Sequence, residues 1–203
     1  MGFTPEQVEQ MQARLKKGTR RKPGPAAPDL VMNSAPGHTI IIGVDPSLRG
    51  TGFGVIEMKK PQVRCIAHGT ISCPASWTRS RCLAQISNTL DEVLKQFRPT
   101  VAALEGLFFA QNLQTAIIMG EARGASMTAL ARHGLDMYEI APRKVKQAIV
   151  GYGAAQKLAV AKMVQRLLAI DELPDPDAAD ALAIALAYSQ MQGKAAIQSL
   201  KQI

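Results

Sequence analysis

Residues 40–44 read Ile-Ile-Ile-Gly-Val, an unbroken apolar and mostly β-branched run that stops at Asp45. A run this short and this apolar is a strand buried on both faces, which commits the chain to a sheet covered on each side by other elements. Val101-Ala102-Ala103-Leu104 repeats the pattern and stops at Glu105. Asp45-Pro46 alone would pass as a turn signal. Glu105 has no such excuse, because an acid ending an apolar strand must be solvated, paired or metal-bound. Strand tips at the carboxyl edge of an open sheet are also where ligands collect.

The remaining elements follow from periodicity. Residues 39–44, 51–58 and 62–72 predict three strands in an antiparallel meander, with the turn Pro46-Ser47-Leu48-Arg49-Gly50 between the first two. Residues 79–97 predict a helix with Leu83, Ile86, Leu90, Val93, Leu94 and Phe97 on one face. Strand 101–105 follows, then a helix over about 112–133 stopped by Gly134. Met137-Tyr138-Glu139-Ile140 is a fifth strand, Pro142 opens another helix, and helices near 155–170 and 177–191 finish the body. Three strands followed by alternating helix and strand is a ribonuclease H-like order: an α/β fold with a five-stranded mixed sheet and helices on both faces. Ahead of it, Thr4-Pro5 predicts a short helix start that runs into the basic, proline- and glycine-rich linker Arg20-Arg21-Lys22-Pro23-Gly24-Pro25. The expected organisation is therefore a basic arm over 1–38, a folded body over 39–191 and a tail over 192–203.

Two further acids belong with Asp45 and Glu105. In Asp-Ala-Ala-Asp-Ala-Leu-Ala-Ile-Ala-Leu-Ala, Asp177 and Asp180 lie three apart at the start of a strongly helical run, so both point to one face. Asp177 competes with Asp175 for an ordinary capping role, whereas Asp180 sits a turn inward. Four clustered carboxylates repel one another unless cations bind among them. Two divalent ions about 4 Å apart can activate water and stabilise the leaving oxygen of a phosphodiester, and holding them takes several hard oxygen ligands.

Charge points to the same class of substrate. The chain carries 24 Lys and Arg against 16 Asp and Glu, a formal net charge of +8. Arg14, Lys16, Lys17, Arg20, Arg21 and Lys22 make the arm basic, as expected of a segment that touches phosphates or of a simple solvated tail. A basic body around an acidic, cation-binding centre suits nucleic acid. Cys65, Cys73 and Cys82 lack the paired spacing of a zinc site and are expected to be reduced packing residues. No apolar stretch reaches the roughly 18 residues needed to cross a bilayer, and Glu6 and Glu9 interrupt any secretory pattern. A cytoplasmic, nucleoid-associated protein without a membrane partner is expected.

The chain resembles the RuvC family of Holliday-junction resolvases over roughly residues 39–190. The blocks that carry the resemblance are Ile-Gly-Val-Asp-Pro and Arg-Gly-Thr-Gly-Phe-Gly-Val-Ile within 42–56, Ala-Leu-Glu-Gly-Leu-Phe at 103–108 and Glu-Ala-Arg-Gly at 121–124. Val-Lys-Gln-Ala-Ile-Val-Gly-Tyr-Gly at 145–153 and Asp-Ala-Ala-Asp-Ala-Leu-Ala-Ile-Ala at 177–185 complete the set. The resemblance implies a Mg2+-dependent homodimer, with Mn2+ able to substitute, that makes paired nicks in a four-way DNA junction and leaves ligatable ends. It implies a metal-binding quartet of Asp45, Glu105, Asp177 and Asp180, catalytic support from Lys146 and Lys157, and a stacking aromatic at Phe108. Arg49, Arg143 and Lys144 are expected phosphate contacts, which position DNA without reading its sequence. A branch-migration helicase is an implied partner. Gly120 and Gly124 allow close approach to their helix, either by a second subunit or by the chain's own sheet. Ser47-Leu48 departs from the family's small pair and puts a bulkier side chain next to Asp45 in sequence.

Three alternatives stay open on the residues alone: a nuclease for branched DNA more broadly, a non-catalytic junction-binding protein, and an actin-like or sugar kinase. The last rests on a loose phosphate-cradling turn at Asp45…Gly50-Thr51-Gly52, and the body is too short for the two domains such kinases need. A pure DNA binder would gain nothing from four acids facing phosphates.

Overall fold

The computed structural model describes residues 39–59, 62–106, 112–191 and 200–203. The expected arm over 1–38 and Phe108 lie outside these residues. The elements are β1 (Ile40–Asp45), β2 (Gly50–Lys59), β3 (Gln62–Ser72), α1 (Arg79–Phe97), β4 (Val101–Glu105), α2 (Leu113–Arg132), β5 (Met137–Ile140), α3 (Pro142–Val150), α4 (Lys157–Leu167), α5 (Pro176–Gln190) and β6 (Lys201–Gln202). They form one mixed sheet in the order β3-β2-β1-β4-β5-β6. The β1–β2, β2–β3 and β5–β6 pairs are antiparallel, and β1–β4 and β4–β5 are parallel.

Alternation along the strands divides the core in two. Ile41, Ile56, Val101, Ala103 and Ile140 face α3, α4 and α5, whose contributions include Val145, Val160, Val164, Leu182 and Leu186. Ile42, Val44, Val55, Ala102 and Leu104 face the opposite layer, where α1 and α2 supply Cys82, Ile86, Leu90, Ala129 and Leu130. The continuous apolar runs of β1 and β4 are explained by this: every residue along them has a helix above or below it. The helix limits follow their signals. Thr78 accepts a hydrogen bond from the Arg81 amide at the start of α1. Beyond α2, Gly134 takes a left-handed φ of 70°.

Two features differ from expectation. The sheet has six strands, because Lys201–Gln202 in the expected tail pair with Tyr138 and Glu139 of β5. Two residues carry no readable alternation, so β6 had no signature of its own. Leu48 does not crowd Asp45: it is buried in the core layer with α1, and Thr51 closes the turn by donating to the Ser47 carbonyl.

The feature that places the site is how α5 lies on β1 and β2. Gly43 and Gly54 are cross-strand partners, and Gly52 is opposite Asp45. A Cβ on Gly43 would overlap the carbonyl oxygen of Ala181, one on Gly52 the carbonyl oxygen of Asp177, and one on Gly54 the side chain of Leu182. The glycines form a groove one side chain deep, and the alanines of α5 settle backbone to backbone into it. A methyl at Gly52 must displace the helix start, because a carbonyl oxygen cannot move aside as a side-chain tip can. Gly52→Ala is expected to destabilise the protein by about 1–3 kcal/mol in urea denaturation; an unchanged midpoint would contradict the packing described here.

Candidate active site

β1 and β4 are parallel neighbours with Val44 beside Leu104, so Asp45 and Glu105 emerge together at the same sheet edge. The seating of α5 brings its first turn over that edge. Asp177 lies against Gly50, where a Cβ would overlap its Oδ2, and Asp180 follows one turn later. α3 begins at Pro142 directly after β5 and carries Lys146, while α4 opens with Lys157. A cleft of about 250 Å3 is lined by Glu105, Lys146, Lys157 and Asp180, with Val145, Val160 and Ile184 among its apolar walls.

The electrostatics show how closely the acids are gathered. Burial, and next the Asp180 charge, raise the Asp45 carboxyl to about 6; Asp177 adds to the rise and Lys157 opposes it. Burial, then Asp45 and Asp180, push Glu105 up to about 7, against Lys157 and Lys146. The two carboxyls are near enough to interact directly, the Asp45 charge raising Glu105. Asp177 is raised as well, by burial first and by Asp180 and Asp175 among its neighbours, with Lys157 opposing. Lys157 Nζ donates to Asp180 Oδ2 at 2.7 Å, and that bond holds the ammonium above its ordinary value. A lysine at a helix N-terminus is opposed by the helix dipole, so it is this carboxylate that keeps Lys157 there.

The acids thus form a trio of Asp45, Glu105 and Asp180, with Asp177 flanking on the Gly50 side. Among the described residues no three His, Cys, Asp or Glu side chains are drawn in tightly enough to be a finished cation cage. The donor set nevertheless fits a hard divalent ion. It consists of carboxylate oxygens alone, and two of its members have raised proton affinities that a bound cation would lower again.

The other expected residues divide. Lys146 and Lys157 join the acids in the cleft. Arg143 and Lys144 are exposed on the first turn of α3, with Arg143 lying across Gly153. Arg49, the other expected phosphate contact, is exposed after β1 and also serves the fold. Its Nη1 donates to the Pro74 carbonyl at 2.5 Å and the Trp77 carbonyl at 3.2 Å, so it ties down the loop between β3 and α1. The residues sequence reasoning passed over are Gly43, Gly52 and Gly54. The alternation Gly50-Thr51-Gly52-Phe53-Gly54 was the available signal, since period-two glycines clear one face of a strand.

Both acids have folded-state values above those of an unfolded chain, so the folded protein binds more protons through roughly pH 4–7. Their contribution to stability is therefore lost as pH rises through that window. Compared with wild type, the metal-free Asp45→Asn/Glu105→Gln protein is expected to be more stable at pH 8, by on the order of 2 kcal/mol, and equal at pH 4. A difference independent of pH in urea denaturation would refute this picture of the pair.

Comparison with known proteins gives one consistent answer. The family model for crossover junction endodeoxyribonuclease RuvC matches residues 41–188. A crossover junction endodeoxyribonuclease RuvC of Heliobacterium modesticaldum is 43% identical over 148 residues, covering 72% of this chain and 91% of the relative. That of Bordetella parapertussis is 44% identical over 151 residues, covering 74% and 83%. Among solved structures, T. thermophilus RuvC in complex with a Holliday junction substrate aligns with a TM-score of 0.73 at 33% identity, over 82% of this chain and all of that one. The yeast mitochondrial Holliday junction resolvase Ydc2 shares the fold at a TM-score of 0.58 and 13% identity.

Proposed function

The chain belongs to the RuvC family of crossover junction endodeoxyribonucleases, and we propose that it resolves four-way DNA junctions by metal-dependent hydrolysis of two symmetrically placed phosphodiesters. The observation that carries this reading is the half-buried meeting of Asp45, Glu105 and Asp180 beside Lys146 and Lys157, in a protein with a net charge of +8. Junction resolution in recombination and repair is the function, and Mg2+ is the proposed ion, two per site, with Mn2+ able to replace it.

Asp45, Glu105, Asp177 and Asp180 would hold the ions. When bound, divalent cations supply an activated water and a counter-charge for the leaving 3′ oxygen. The chain's own residues do the rest. Asp45 and Glu105, whose proton affinities are raised, would take up metal in competition with protons. Lys157, paired with Asp180, is placed to turn towards a phosphate oxygen once that carboxylate is engaged elsewhere. Lys146 adds positive charge on the Glu105 side of the cleft, suited to the negative charge that builds on the phosphoryl oxygens. Exposed Arg143 and Lys144 extend the basic surface to flanking phosphates. Phe108 is proposed as the stacking aromatic near the crossover, where such a contact contributes about 1–3 kcal/mol per base.

Paired nicks require two sites, and α2 offers a face for a second copy. Leu113 is 77% exposed and Ile117 50% exposed, while a Cβ on Gly120 or Gly124 would meet nothing within 4 Å among the described residues. Those glycines do not serve the chain's own sheet, which leaves close approach by a partner helix as their use. The nuclease body is proposed to span 39–191, with 1–38 as a basic arm that adds non-specific phosphate contacts. Among the described residues no helix is long and apolar enough to cross a membrane. A cytoplasmic, nucleoid-associated location and a branch-migration helicase as partner complete the proposal.

Synthetic four-way, three-way and linear DNA with and without Mg2+ provide the test. The four-way junction is expected to be nicked in opposed strands only with Mg2+. Asp45→Asn and Glu105→Gln are expected to lower the rate at least about 1,000-fold, equivalent to roughly 4 kcal/mol of barrier, while binding the junction as tightly as wild type or tighter. Equal cutting of all three DNAs would reduce the enzyme to a general nuclease, and normal cutting by both variants would remove these acids from the mechanism.

A further inference from the structure

Arg123 is the one charged side chain among the described residues that the core buries, at 6% exposure. It stands in Glu-Ala-Arg-Gly, a block to which the proposed chemistry assigns no part. A guanidinium removed from water costs several kcal/mol unless its donors are matched. Here two of them are. Nη1 donates to the backbone carbonyl of Glu105 at 2.5 Å, and Nη2 donates to Glu139 Oε2 at 2.7 Å.

The two acceptors lie at the ends of adjacent strands. Glu105 is beside Ile140 in the β4–β5 register, and the Gly106 amide donates to the Ile140 carbonyl at 2.9 Å. The Glu139 carboxylate lies over Gly106, where a Cβ would stand 3.3 Å from Glu139 Cγ. Lys201 of β6 approaches the other oxygen of Glu139 at 3.8 Å. The guanidinium thus bridges α2, β4 and β5 at the point where the chain leaves the sheet.

We infer that Arg123 is a positioning residue for Glu105: with Glu139 as its counter-ion, it fixes the strand end from which that carboxylate projects, and so sets where Glu105 can meet Asp45 and Asp180. The inference rests on the proposed role of Glu105. A planar fork reaches a carbonyl and a carboxylate at once, whereas an ammonium offers no such fixed geometry. Nothing in the contacts of Arg123 touches substrate or the reacting atoms; its influence passes through Glu105, by the bond to its carbonyl and by the attraction between the two charges.

Arg123→Lys and Glu139→Gln are compared with wild type in four measurements on the full-length protein: unfolding midpoint, four-way-junction affinity in Ca2+, Mn2+ affinity by electron paramagnetic resonance, and single-turnover nicking in Mg2+. Both variants are expected to lose about 10–100-fold in nicking rate and in Mn2+ affinity, the usual effect of removing a partner that orients a metal ligand. Junction affinity is expected to stay within about twofold, and Arg123→Met to lose more than Arg123→Lys. If Arg123→Lys does not fold, Glu139→Gln decides by the same measures. Wild-type Mn2+ affinity and rate would overturn the inference, as would losses that merely follow equal losses of stability and junction binding. Glu105→Gln run alongside separates the two claims: an active Glu105→Gln removes the proposed site, whereas an inactive one beside a wild-type-like Arg123→Lys removes only the clamp.

Discussion

The backbone-to-backbone seating of α5 on the glycines of β1 and β2 is what the rest of the molecule depends on. Gly43 and Gly52 leave no side chain between sheet and helix, Gly54 makes room for Leu182, and α5 answers with alanines at 178, 179, 181, 183, 185 and 187, all buried. Close contact of two backbones gains dispersion over a wide area, and it also fixes the height of the helix to within a methyl group. The consequence is chemical. Asp180 and Asp177 ride on the first turns of α5, so the same contact that fills the core sets their distance from Asp45 and Glu105.

Gathering four acids at one edge of a hydrophobic core costs stability, and the structure shows how that cost is limited in the protein alone. The proton affinities of Asp45 and Glu105 are raised, and Lys157 neutralises Asp180. Each of these arrangements is reversible by a cation or a phosphate. Arg123 is of a different kind. It is locked between Glu105 and Glu139 beneath the surface, where neither solvent nor DNA competes for it. The site thus combines ligands that can change charge state with a frame that cannot easily move. One helix, α2, carries both Arg123 and the exposed face proposed for the second subunit.

Much of this was legible in the residues. The apolar runs before Asp45 and Glu105 gave two central strands, because full burial on both faces leaves no room for alternation. The spacing of Asp177 and Asp180 gave one helix face, and Gly134 marked the end of α2. What was not legible depended on contacts distant in sequence. Nothing local reveals that Arg49 bonds to carbonyls 25 and 28 residues away. Leu48, three residues after Asp45, is carried by the turn beyond β1 into the core layer on the opposite side of the sheet. β6 exists only because β5 offers it an edge. Arg123 reads as one more surface cation of an amphipathic helix until the strand ends that it joins are known.

The central claim is that four carboxylates, placed by α5 and the two strand tips, hold a pair of divalent ions. Anomalous diffraction from crystals soaked in Mn2+ tests it most directly. Two peaks about 4 Å apart, ringed by oxygens of Asp45, Glu105, Asp177 and Asp180, are the predicted result. Absence of bound Mn2+ at this edge at saturating concentration, or peaks ligated by other residues, would contradict it.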